Sequence, residues 1–532
     1  MHPSTAPSIS GTRRVRSIRG SLDFRRALPS IAWWLDHPVL TLTLLGAVAA
    51  WFATLSRHYA IGVAAFGCFY WCLRVERRHL EHLAFPPLVL FGFHHLLASG
   101  LGLPLICLGV SLHGFSREGE MDAIWLSQVA HAIAFPILTI GYKAGRIGSP
   151  PFSLGATTQI RERTQRILAC LGWLLFIQYL IWRCAGIATG SSDRSRMQET
   201  MEQGFGIWSW FQLFPRLNAI FFLLVPLMYR KARGPGRIAL VMAMGSILTL
   251  NLFSGSRSQV LGPVCFLLIG WWMVYPHVRW VIRLGPLAVL LVVPFILFTP
   301  FYRSTQAFAD ARELDISSRL AAIKEVSAVV NDSELGGIIQ LSGEGLNGVS
   351  DREVFLKTPE EFPHVGWENV ARLQAFWLPS ILARTKASLL DGNDIVQGYK
   401  PDVVIFGATI SFPADLFRRF GWKGVVWGPL VLGLVLGLLY RQAFRLQQGS
   451  WSIAGTLFIL YGLTFFSSVP YTTLLETCWY WLWEMPKHML ALGGLTLVAS
   501  SLCRQFDSKR NGVALAAKPV PLLTAAAPPS LS

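Results

Sequence analysis

The residues best able to do chemistry in this chain are basic side chains placed at the edges of long apolar runs. In Leu252-Phe-Ser-Gly-Ser-Arg-Ser-Gln-Val-Leu261 a short polar stretch separates two such runs. Gly255 permits a tight turn there, and Arg257 is held close to the membrane edge, where a planar guanidinium can grip a phosphate through two parallel hydrogen bonds. The same residues also fit a plain turn with an arginine whose stem lies along lipid and whose head reaches water. Arg216, in Phe214-Pro-Arg-Leu-Asn218, falls about ten residues into a candidate membrane span beginning near position 206. A lone arginine at such a depth costs on the order of 3 kcal/mol, so it should face a polar cavity. The alternative is that Pro215 interrupts the helix and leaves Arg216 at the interface.

A second basic set lies in one long polar stretch: Arg303 in Thr299-Pro-Phe-Tyr-Arg303, then Arg372, Arg384 and Lys386. Set among acidic residues, these cations suit an anionic ligand. His364, the only histidine between 303 and 422, could take a proton from a hydroxyl, although a lone loop histidine is more often structural. Asp351 and Arg352 read as a local ion pair, Glu360 and Glu361 as a solvated helix start, and Asp391 and Asp394 as a turn around Gly392. His94, His95 and His131 have no carboxylate at ligand spacing and read as packing residues in apolar runs. The eight cysteines show neither a disulfide framework nor zinc spacing. No metal site is expected. No phosphate-binding glycine loop, HExxH, nucleophile elbow or dinucleotide fingerprint occurs, so no cofactor is expected either.

These groups need a scaffold, and the bulk composition defines it. With 532 residues, 52% hydrophobic, 14% charged and a mean hydropathy of +0.45, the chain is too apolar for a soluble protein of its size. The net charge of +17 does not indicate nucleic-acid binding, because Lys and Arg fall in short clusters between apolar runs. The runs near 38–55, 59–74, 85–111, 121–141, 166–188, 206–229, 237–254, 258–277, 281–302, 423–440, 452–470 and 483–502 are each read as a span. The fold class expected is therefore an all-α polytopic membrane protein with about 12 transmembrane helices and one large extracytoplasmic loop.

The basic clusters select an orientation, since cytoplasmic connections carry the Lys and Arg excess. Arg74, Arg77 and Arg78, then Lys143 and Arg146, then Arg230, Lys231 and Arg233 all fall on one side. The expected organisation is a basic cytoplasmic N-terminus (1–37), transmembrane helices 1–9 (38–302), a large extracytoplasmic loop (303–422), transmembrane helices 10–12 (423–502) and a disordered cytoplasmic tail (503–532). The first apolar run has no signal-peptide layout and is expected to remain as a helix.

Three pieces of sequence together resemble Wzy-type polysaccharide polymerases, the polytopic enzymes of bacterial O-antigen and exopolysaccharide assembly, with O-antigen ligases as wider relatives. They are the Ser-Gly-Ser-Arg-Ser turn at 254–258, the loop segment Phe376-Trp-Leu-Pro-Ser-Ile-Leu-Ala-Arg-Thr-Lys386, and Phe412-Pro-Ala-Asp-Leu-Phe-Arg-Arg-Phe-Gly-Trp-Lys-Gly-Val-Val-Trp-Gly-Pro429. Ala387 stands where the family usually has proline. The resemblance covers about 257–440 and implies transfer of a polyprenyl-diphosphate-linked glycan to another lipid-linked repeat unit, at the outer face of the bacterial cytoplasmic membrane. It implies Arg257 and Arg303 at the diphosphate, Arg216 beside them, and Arg372, Arg384 and Lys386 closing the loop over it, with His364 activating the acceptor hydroxyl. The implied partners are the lipid-linked oligosaccharide and the bilayer, with flippase, chain-length-regulating and export proteins nearby and no nucleic acid. A ligase shares this architecture, and a transporter or a non-catalytic scaffold remains open on the sequence.

Overall fold

The computed structural model describes residues 45–49, 57–76, 87–113, 119–147, 162–188, 215–252, 257–274, 350–368, 370, 395, 398–399, 410–448, 452–466 and 472–516. Among the described residues the protein is helical throughout, with no strand. In chain order the helices are α1 (Arg57–Val75), α2 (Pro87–His95), α3 (Leu103–His113), α4 (Glu120–Gly145), α5 (Glu162–Ala188), α6 (Pro215–Lys231), α7 (Pro235–Leu252), α8 (Arg257–Val274), α9 (Ser350–Lys357), α10 (Phe412–Gln448), α11 (Ser452–Phe466), α12 (Leu474–Trp479) and α13 (Met485–Ala516). A π-helical turn, Leu96–Gly102, joins α2 to α3, and another, Tyr480–Glu484, joins α12 to α13.

Among the described residues four helical stretches are long and apolar enough to cross a membrane: Leu88–Val110, Glu120–Gly145, Glu162–Ile181 and Phe412–Gln447. Pro235–Ile247, Gly262–Trp271 and Ser452–Phe465 are shorter apolar helices. The expected spans near 38–55 and 281–302 fall largely or wholly outside the described residues, and so do Asp391 and Asp394.

The central pair is α4 against α10, and glycines set their separation. A Cβ on Gly141 would run into the Leu430 carbonyl oxygen, and one on Gly145 into that of Leu434. Reciprocally, Gly433 faces the Leu138 oxygen and Gly437 the Tyr142 oxygen. Small residues four apart on both helices let the backbones touch, which is how membrane helices gain packing without a hydrophobic drive between them. At the far end of α4 a fully buried Glu76 receives Arg146 on both carboxylate oxygens, at 2.9 and 3.1 Å. The Arg146 guanidinium lies over Tyr142 and Tyr440 at 5.2 and 5.6 Å, so one cation ties α1, α4 and α10 together.

Helix α10 departs from expectation at its start. The sequence puts the end of the loop at 422, but helix already begins at Phe412 and is broken at Gly421, with φ 61° and ψ −153°. That region of backbone space is open essentially to glycine alone. The break folds Phe412–Phe420 back over the next turns, where Leu416 lies against Gly424 and Gly428. At the other terminus the expected tail is helical well past 503: α13 runs on to Ala516.

Candidate functional site

Helix α9 belongs to the stretch expected as the large loop, and it is pinned along the first turns of α4. His131 donates from Nε2 to Asp351 Oδ2 at 3.1 Å, while Asp351 Oδ1 accepts the Ser411 backbone N–H at 2.7 Å. Arg352 pairs with Glu120 and also reaches Glu353 at 3.5 Å. From Glu120 to His131 the contact runs eleven residues, about 16 Å along α4. Val354 and Phe355 share one buried apolar cluster with Ala123, Ala130 and Ala134 of α4 and with Phe417 and Val425 of α10, and the Phe355 and Phe417 rings lie 4.4 Å apart.

Two expectations are corrected here. Asp351 and Arg352 do not pair with each other: adjacent side chains on a helix diverge, so each finds its own partner. His131 is also more than a packing residue, because its carboxylate partner comes from the far end of the sequence. Glu360 and Glu361 are exposed and follow the end of α9 as a turn instead of starting a helix, with Lys357 3.9 Å from Glu361.

The second polar frame is built on Asp415, which is fully buried in the first part of α10. Its Oδ1 accepts Arg418 Nε and Nη2 at 3.0 and 2.8 Å. Its Oδ2 accepts Arg419 Nε at 3.1 Å and the Leu474 N–H of α12 at 2.8 Å. Arg419, itself buried, donates onward from Nη1 to the Gly366 and Glu368 carbonyls at 3.3 and 2.9 Å. The backbone completes the clamp, with Gly366 N–H on the Arg419 oxygen at 2.9 Å and Val365 N–H on the Arg418 oxygen at 3.3 Å. Two buried cations on one carboxylate are stable because backbone carbonyls and hydrogen bonds satisfy the remaining donors.

His364 sits on the outer side of this clamp. Its Nδ1 lies 3.2 Å from the Arg418 carbonyl, which can only accept, so Nδ1 carries the proton and Nε2 presents a lone pair. The ring stands edge-on to Phe417, 5.8 Å between centroids, and its residue is exposed. Nearby Tyr399 lies 2.6 Å from Thr358 Oγ1 and receives Lys357 Nζ on its backbone oxygen at 2.7 Å; burial raises its phenol pKa.

Against the clamp lies an apolar groove of about 760 Å³ between α10, α12 and the following π-helical turn. Trp367 from the loop and Lys423 stand at one end, Val431 and Val435 at the other, and Trp427, Trp481 and Leu482 line the sides. Its volume and its few polar groups are those of a ligand pocket. The charged frames thus hold the segment 350–368 beside one end of an apolar groove along a membrane-length helix.

Of the residues singled out in the sequence, His364 lies at this clamp. Arg257 is the first residue of α8 and Arg216 the second of α6, and their side chains lie outside the described parts. Arg303, Arg372, Arg384 and Lys386 lie outside the described residues. Asp415, Arg418 and Arg419 are not among the expected site residues, although their i, i+3, i+4 spacing within 412–429 is a sign of a local ion network. Lys423 and Trp367 carried no comparable sign. Among the described residues no group of three or more His, Cys, Asp or Glu is placed to hold a metal ion.

No known protein family, curated protein or solved structure matches this chain.

Proposed function

We propose that this protein is a membrane glycosyltransferase that polymerises polyprenyl-diphosphate-linked oligosaccharide repeat units at the outer face of the bacterial cytoplasmic membrane. In this reading the chain has about twelve spans, both termini are cytoplasmic and the 303–422 stretch is extracytoplasmic. The observation that carries it is the segment 350–368, held by buried polar contacts beside an apolar groove to which it contributes Trp367, an arrangement suited to a lipid-borne glycan next to a polar surface. It joins the resemblance of 254–258, 376–386 and 412–429 to the polymerases.

The chemistry required is simple in its balance. The acceptor hydroxyl oxygen bonds to the anomeric carbon of the donor, the bond from that carbon to the diphosphate oxygen breaks, and the hydroxyl proton leaves to a base. His364 Nε2, left with a lone pair when Nδ1 donates to the Arg418 carbonyl, is the proposed base. Charge grows on the departing diphosphate, and cations already aimed at it lower the barrier with no cofactor. Arg257 and Arg303 are assigned that role, with Arg216 beside them and Arg372, Arg384 and Lys386 closing over the site. A ligase differs only in its acceptor. The test is the size distribution of lipid-linked and exported glycan in cells producing Arg257→Ala at normal protein level. Accumulated single repeat units support the reading, and polymer of normal length removes Arg257 from the reaction.

A further inference from the structure

We propose that the groove between α10 and α12 is a site for one prenyl chain of a phosphate-bearing lipid, with the phosphate beside Lys423. The proposal rests on the lipid-linked reading above and adds the location and contacts of the lipid. Four observations point to this occupant.

The groove is graded along its length. Lys423 and the loop's Trp367 stand at one end, and toward Val431 and Val435 the lining is aliphatic. An amphiphile fits such a gradient in one direction only. From Lys423 to Val435 is twelve residues, about 18 Å at the helical rise. This is close to half of the roughly 30 Å hydrocarbon core, so the groove matches one chain crossing one leaflet.

Lys423 is exposed and makes no ion pair among the described residues, whereas Arg418 and Arg419 two turns or less away are both committed to Asp415. It is therefore the cation left for an external anion. The walls are also chemically selective. Trp427, Trp481 and Phe420 line the groove, and aromatic rings suit the planar unsaturated units of a prenyl chain better than a flexible saturated one. Trp367 and Trp427 are 70% and 64% exposed, so both rings are open to a molecule entering the groove.

The experiment uses the full chain in neutral phosphatidylcholine nanodiscs titrated with a long-chain prenyl monophosphate, with bound lipid counted by native mass spectrometry. One retained prenyl phosphate per protein, not displaced by equal phosphatidylglycerol, is expected. Lys423→Glu should weaken binding about tenfold or more, and Val431→Trp, at a position 57% exposed, should fill the groove and abolish it. Leu438→Trp, on the same helix but off the groove, should bind normally and reports on folding. Equal retention of phosphatidylglycerol means an ordinary anionic lipid shell and overturns the proposal. So does unchanged binding in both Lys423→Glu and Val431→Trp. If prenyl phosphate binds as expected while cells lacking the protein still make polymer of normal length, the groove stands and the polymerase reading falls. The reverse pair of results removes the groove alone.

Discussion

Asp351 and His131, 220 positions apart in the chain, meet at 3.1 Å inside the protein, where neither is open to water. The contact joins a polar loop helix to the middle of a helix long enough to cross a membrane. A carboxylate without its partner in such a place keeps its desolvation cost and loses the compensating attraction.

His131→Leu should therefore release α9 from α4. The cost expected for breaking a buried pair is about 3–5 kcal/mol. Hydrogen exchange over 350–357 should rise steeply while exchange in α13 is unchanged, and equal protection in both proteins would show that the apolar contacts of Val354 and Phe355 hold the helix alone.

Asp415 carries more. Asp415→Ala strands Arg418 and Arg419 in the interior and removes the acceptor for Leu474 N–H. A loss of about 3–5 kcal/mol is expected, seen as a lower melting temperature in detergent and early proteolysis between 350 and 368. Adding Arg419→Met to Asp415→Ala should recover part of the loss, because it removes one of the stranded charges.

The parts of this design that could be read in the sequence are those set by local rules. Apolar run length gave the helices at 88–110, 120–145 and 162–181 because length and hydropathy follow directly from the bilayer. The start of α10 at Phe412 was hidden, since Asp415, Arg418 and Arg419 make 412–420 look like loop until it is known that they neutralise one another. The meeting of Asp351 with His131 carried no local sign at all. The close glycine contacts at 141, 145, 433 and 437 were visible as two pairs at small-xxx-small spacing, but which helices they join is a property of the tertiary fold.

Gly437→Leu tests that crossing. A side chain at this position would meet the Tyr142 carbonyl oxygen and the Gly145 backbone, which cannot rotate away. The helices must part, and the neighbouring Arg146 contact with Tyr440 should be disturbed with them. The expected result is a large fall in folded yield and melting temperature, against little change for Leu434→Ala on the same helix, where the residue removed is 41% exposed. Normal stability of Gly437→Leu would mean that α4 and α10 are farther apart than the backbone contact requires.

His364 and Gly421 belong to one argument. A Cβ on Gly421 would come 3.3 Å from His364 Nε2, and the backbone at this residue is of a kind only glycine adopts readily. Gly421→Ala should cost about 1–3 kcal/mol and crowd the nitrogen proposed to take the proton. His364→Gln keeps a group that can donate to the Arg418 carbonyl but supplies no basic nitrogen at the position of Nε2. If His364 acts as the base, His364→Gln should retain normal thermal stability while glycan polymerisation falls by about 10²–10⁴-fold. If its role is only to hold the loop to Arg418, His364→Gln should polymerise nearly as well as the parent and His364→Ala should lose stability. Melting temperature and glycan length measured on the same pair of variants separate the two roles, since only the base is lost without a change in folding.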